Sequence, residues 1–150
     1  MLIQELVNDI TSKDTTRIRN SSSQIIKLKH NREFVSQLID FLPQIKSKTK
    51  NLNLGGAFAP NIRFAEYAIR IIEFHKESKL CTCELFIDKY ECNNPKAECE
   101  TDKVKILNTI LIEGNWVDFY IVECLDCCQK FKVIEREYHY TWWGWTKFEG

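Results

Sequence analysis

The chain is 150 residues long, 44% of them hydrophobic, and its 21 basic and 21 acidic side chains cancel. That is enough apolar material for one domain, or two small subdomains sharing a core, to fold without covalent staples. No stretch approaches the roughly 20 apolar residues a membrane span needs, and Met1-Leu2-Ile3-Gln4-Glu5 lacks the basic opening and apolar run of a signal peptide, so a cytoplasmic setting is expected.

The zero net charge hides an asymmetry. Residues 1–80 carry 13 Lys and Arg against 8 Asp and Glu, whereas residues 81–150 carry 8 against 13. The second half therefore offers an acidic face that a basic partner can find. The seven cysteines are too many to dismiss and odd in number. In a reducing compartment they argue for metal rather than disulfides.

The first half reads as helices. Leu2, Ile3, Leu6, Val7 and Ile10 recur at helical spacing over residues 2–11. Thr11-Ser12-Lys13 ends that helix, and Asp14 caps the next. Residues 15–29 place Ile18, Ile25, Ile26 and Leu28 on one face, with Ser22 small enough to admit a neighbouring helix. Asn31 caps a third helix with a stripe of Phe34, Val35, Leu38, Ile39, Leu42 and Ile45, where Pro43 predicts a kink or an early end. Lys46 to Asn53 is polar and basic, and Leu54-Gly55-Gly56 is a loop. Asn61 is expected to cap a long helix reaching about Lys79, with Phe64, Ala65, Ala68, Ile71 and Ile72 inward.

The run Asp14-Thr15-Thr16-Arg17-Ile18-Arg19, followed by Ser22, Ile25 and Ile26, resembles the first helix of a HEAT repeat. Asn61-Ile62-Arg63 followed by Ala65 and Ala68 resembles the start of another. Ser21-Ser22-Ser23 departs from the alanine usual there. The resemblance implies stacked helical hairpins over residues 1–80, a kind of surface that commonly binds other proteins.

The second half reads as strands around a divided cysteine set. Glu84 to Tyr90 is strand-like, and residues 91–103, with Cys92, Pro95 and Cys99, form a loop. Val104 to Ile112 is strongly β-like, Glu113-Gly114-Asn115 is a hairpin turn, and Trp116 to Glu123 returns. Lys130 to Tyr140 alternates as a last strand. The thiols Cys81 and Cys83 flank one short turn, Cys124 and Cys127 another. Two thiolates from each of two adjacent turns supply the four soft ligands of a tetrahedral structural zinc site. Cys124-Leu125-Asp126-Cys127-Cys128-Gln129-Lys130-Phe131 resembles the second knuckle of a zinc ribbon, with Cys128 where that family has glycine and with Cys-x-Cys rather than Cys-x-x-Cys in the first knuckle. Cys128 or His75 remain alternative ligands, and buried thiols without metal are the plainer reading. The expected architecture is α+β: antiparallel HEAT-like helices over residues 1–80, packed on a small zinc-ribbon-like antiparallel sheet over residues 81–150.

The tail from Tyr138 to Phe148 is dense in aromatics. Either it seals the helix–sheet junction or it forms a binding surface through Tyr138, Tyr140, Trp142, Trp143 and Trp145. Nucleic acid is a poor match, because the half carrying the aromatics is net negative, while Lys46, Lys48 and Lys50 lie in the other half. No phosphate-cradling loop, paired-histidine metal motif or glycine-flanked serine nucleophile is present, so no catalysis is expected. In overall character the chain resembles a bacterial immunity protein of a polymorphic-toxin or contact-dependent growth inhibition system. That resemblance implies an antitoxin that binds a cognate toxin domain, with Glu98, Glu100 and Asp102 facing a basic partner and the tryptophans as anchors. The competing expectations are a zinc-ribbon nucleic-acid-binding or regulatory protein, and a thiol-based redox or metal sensor built on Cys128.

Overall fold

The computed structural model describes residues 2–50, 52, 60–138 and 140–149. Its layout is α+β, in two compact units, Met1–Lys79 and Leu80–Gly150. Among the described residues, no helix is long and apolar enough to cross a membrane.

The helical unit holds α1 (Ile3–Ile10), α2 (Thr15–Lys27), α3 (Arg32–Ser36), α4 (Leu42–Thr49) and α5 (Pro60–Glu77). Local capping starts two of them. Asp14 accepts the Arg17 N–H at 2.9 Å, and Asn31 accepts that of Phe34 at 3.0 Å, each satisfying a donor the first turn leaves open. The core is drawn from every helix: Leu6, Val7 and Ile10, then Ile18 and Ile25, Val35, Ile45, and Ala65, Ala68, Ile71 and Ile72. Tyr67 is also fully buried, although its hydroxyl hid it among the polar positions of α5.

The third helix of the sequence reading is divided. Helix α3 stops at Ser36, a 3-10 turn follows at Ile39–Phe41, and α4 starts at Leu42 with Pro43 in its first turn. A proline ring clashes with the carbonyl four residues back, here that of Ile39, so no α-helix runs through residues 39–43. In a first turn the missing N–H costs nothing. Asn61 falls inside α5, which begins at Pro60, so it is not the residue ahead of the helix. The loop Leu54-Gly55-Gly56 lies outside the described residues.

The second unit is an antiparallel meander in the order β1-β2-β3-β4, comprising β1 (Val104–Ile112), β2 (Trp116–Cys124), β3 (Lys130–Tyr138) and β4 (Tyr140–Phe148). Glu113 and Gly114 turn the first hairpin at φ 53° and 80°, the left-handed pair that tight hairpin turns need. One face of the sheet is buried through Val104, Tyr120, Val122, Phe131, Val133 and Trp145, under Cys83 and Phe86. Phe86 stacks on Trp145 with centroids 4.3 Å apart, and Phe131 meets Trp145 edge-on at 5.5 Å.

Three segments of this unit differ from the sequence reading. Residues 84–90 are not a strand. Thr82–Ile87 is a 3-10 helix, in which the adjacent Leu85 and Phe86 are both buried, and a strand face buries alternate residues. The supposed loop at 91–103 contains α6 (Pro95–Glu100), which Asn94 caps by accepting the Lys96 N–H at 3.0 Å. The last strand stops at Tyr138, and residues 140–148 return along it, with Val133 opposite Trp145 and Glu135 opposite Trp143.

Candidate metal centre

Cys81 precedes the 3-10 helix and Cys83 lies within its first turn. The tight turn sets both side chains of the Cys-x-Cys pair toward the end of β2. Cys124 closes β2. Its N–H donates to the Gln129 carbonyl at 2.8 Å, and its own carbonyl accepts the Cys128 N–H at 2.9 Å. That closes a turn presenting Cys124 and Cys127. The Leu125 N–H donates to the Lys103 carbonyl at 3.0 Å, tying the turn to the start of β1. Cys128 sits at φ 67°, the left-handed conformation for which a glycine is expected.

The four Sγ atoms lie within 4.8 Å of one another. Cys81 and Cys124 approach to 3.7 Å, and Cys83 and Cys127 to 3.5 Å. A disulfide requires about 2.05 Å, so these are separate thiols. Ligands at about 2.3 Å around a tetrahedral ion stand about 3.8 Å apart, close to the observed spacing. The set can hold a metal ion. Its donors are all sulfur, two from each turn, and they leave no place for a further ligand on a four-coordinate ion.

Electrostatics show what such an ion would relieve. Burial raises the Cys83 thiol far above its ordinary range, and the crowding of Cys127, Cys124 and Cys81 adds to this. Cys124 is pushed up to about 11, first by burial, although the N–H groups of Cys127 and Asp126 work the other way. Burial also opposes ionisation at Cys127, but the Gln129 N–H and the surrounding thiols pull it below its usual value. Backbone N–H groups aimed at sulfur are the partners a metal-bound thiolate uses. Beside the set, Lys147 donates to Glu84 at 2.7 Å. Its pKa is raised, first by that bond and further by the fields of Glu84, Cys83 and Cys127.

The remaining cysteines stand apart from the set. Cys128 is exposed, Cys92 and Cys99 are half-buried, and Cys99 packs on the core of the sheet. His75, an alternative ligand in the sequence reading, belongs to the helical unit, where it is buried and its Nε2 donates to the Lys29 carbonyl at 2.7 Å.

The aromatic tail is divided in its roles. Trp145 is 5% exposed, and its indole N–H donates to the Asn93 carbonyl at 2.7 Å. It is a core residue and offers a partner nothing. Trp142 and Trp143 are half-buried, and Tyr140 is exposed; the side chain of Tyr138 lies outside the described residues. Of the acidic trio, Glu98 is buried at 5% exposure, whereas Glu100 and Asp102 are on the surface. Among the exposed apolar residues, some such as Leu2, Leu80 and Leu125 are scattered, while Leu107, Leu111, Ile112 and Trp116 lie on the β1–β2 hairpin, the last 67% exposed. Only the polarity of Asn115 and Glu113 beside Trp116 hinted at this in the sequence.

No family model, curated protein or solved structure matches the chain.

Proposed function

We propose that this chain is a non-catalytic protein-binding module whose β unit is pinned by a structural zinc ion, and that it acts in the cytoplasm as an immunity protein neutralising a cognate bacterial toxin domain. The observation that carries the reading is the closed four-thiol set. Zinc suits it, having no directional electronic preference and an affinity for thiolate. A four-thiolate site has no open position for substrate or water, so its contribution is folding energy. A cytoplasmic setting keeps such thiols reduced. The protein-binding part draws on the exposed Ile112 and Trp116, cross-strand partners at the hairpin end, since adjoining exposed apolar side chains mark interaction sites. The excess of acidic residues over 81–150 favours a basic partner, as a nuclease toxin would be. The nucleic-acid alternative has less support, because Lys46 is already paired with Glu73 at 3.2 Å.

The test is elemental analysis of protein purified without added zinc, alongside the Cys124→Ser/Cys127→Ser variant and a pull-down with candidate toxin domains. The expected result is zinc at about one equivalent per chain, lost in the variant together with the near-ultraviolet signal of the β unit, and capture of a basic toxin domain. Metal-free protein with an unchanged fold overturns the structural-zinc reading, and co-purifying nucleic acid overturns the protein-binding one.

A further inference from the structure

At the hairpin end of the β unit, Ile112, Trp116, Val117, Glu135, Glu137 and Thr141 line a cavity of about 300 Å³. Its aromatic and aliphatic part is open to solvent, with Trp116 at 67% and Ile112 at 44% exposure. Two carboxylate residues share the lining. Glu135 is held in place: its Oε1 accepts the Trp143 indole N–H at 2.8 Å and the Tyr120 hydroxyl at 3.1 Å. Its Oε2 accepts no hydrogen bond from the described residues. Arg136 also lines the cavity, but its guanidinium is committed elsewhere. It donates to Asp118 Oδ1 at 2.9 Å, and to the carbonyls of Asp118 at 2.7 Å and Glu135 at 2.8 Å. Among the described residues, neither Glu135 nor Glu137 has an ion-pair partner.

We infer that this cavity is a socket for an arginine side chain presented by a partner protein. The inference deepens the protein-binding reading and rests on it. A guanidinium has a flat face that stacks on an indole and edge donors that pair with a carboxylate. This cavity is lined by both an accessible indole and a carboxylate whose orientation is already fixed. Fixing Glu135 through Trp143 and Tyr120 removes the ordering cost that a free surface glutamate meets on binding. Glu137 adds negative potential at the rim, and Asp118 cancels the repulsion that Arg136 would otherwise exert. The apolar Ile112 and Val117 suit the methylene stem of an arginine. Lysine, a point charge without a planar face, gains less from the same walls.

The test titrates N-acetyl-arginine amide, and its lysine and citrulline counterparts, into the full zinc-loaded chain while the Trp116 indole signal is followed by two-dimensional NMR. Arginine is expected to shift that signal saturably at millimolar concentration, and uncharged citrulline to leave it unmoved. Glu137→Gln should weaken binding about fivefold or more at low salt. Trp116→Ala, followed at the Thr141 amide, should weaken it similarly. Leu107→Ala, outside the socket, should change nothing. An equal response to citrulline, lysine binding as tightly as arginine, or indifference to Glu137→Gln overturns the assignment. Absence of any arginine response in protein that keeps its zinc and its fold removes the socket alone; absence of zinc removes the structural-zinc reading and leaves the arginine result standing.

Discussion

Ser22 gives the sharpest test of the helical unit. It lies fully buried on α2, and its hydroxyl has no hydrogen-bond partner among the described residues. The adjacent Ser21 differs, because its Oγ donates to the Arg17 carbonyl at 2.8 Å and reaches that of Ile18 at 3.0 Å. An unpartnered buried hydroxyl costs about 1–3 kcal/mol. Alanine removes that cost and adds about 0.5 kcal/mol of helix propensity. Against this, the void left by one oxygen costs a few tenths of a kcal/mol at about 24 cal/mol per Å³. Ser22→Ala should therefore stabilise the unit by about 1–3 kcal/mol. The unit spans Met1–Lys79, and for a domain of that size about 1 kcal/mol moves the midpoint by roughly 4–8 °C. Thermal and urea unfolding followed by far-ultraviolet circular dichroism measures the change. Ser21→Ala is the control. Its lost bond offsets its gained propensity, so it should fall within about 0.5 kcal/mol of the parent. A neutral or destabilising Ser22→Ala would refute the reasoning, and would mean that an internal water satisfies the hydroxyl.

Three further outcomes are expected. Trp145→Ala should cost the β unit about 3–5 kcal/mol, as large-to-small core changes do, whereas Trp116→Ala should stay within about 0.5 kcal/mol; near-ultraviolet denaturation curves of the two variants decide this. Cys128→Gly should stabilise the same unit by about 1 kcal/mol by relieving the left-handed backbone, with metal stoichiometry unchanged by elemental analysis. Burial, opposed by the Lys29 carbonyl and helped by the nearby Arg32, His30 and Lys79 charges, lowers the pKa of His75 below 6.5. The folded state then resists a proton that the unfolded chain accepts, so the stability contributed by neutral His75 is full above pH 6.5 and is lost as pH falls through the lowered value. His75→Gln should flatten the pH dependence of urea unfolding below pH 6.5; an unchanged slope would exclude His75 as its source.

The placement of Cys128 shows how far the zinc-ribbon resemblance reaches. That family has glycine where this chain has Cys128, which implies a backbone strained for any other residue, and Cys128 sits at φ 67°. The helix starts at Thr15 and Arg32 were legible for a local reason: Asp14 and Asn31 act on N–H groups three residues away. The division of the third helix was only half legible. Pro43 announced a break, but whether the chain kinks or restarts depends on how Leu38, Leu42 and Ile45 reach the core, and all three are buried.

What the sequence by itself determined was local: helix caps, the hairpin turn at Glu113 and Gly114, strand character over 104–124, and two thiol pairs suited to one ion. The return of the tail was beyond it. Residues 130–148 alternate on either side of a break at 134–137, and no turn residue there says where the strand doubles back. That reversal, decided by tertiary structure, sends Trp145 under Phe86 and brings Trp143 to Glu135. It leaves Trp116 in solvent. The four tryptophans are chemically alike, and Trp116 is even in phase with the buried Tyr120 and Val122 of β2, so position along the sheet, with Trp145 packed among Cys83 and Phe86 and Trp116 at the hairpin end, separates core from surface. The same fold brings Glu135 and Glu137 to line one cavity with Trp116, residues about 20 positions apart that no local rule brings together.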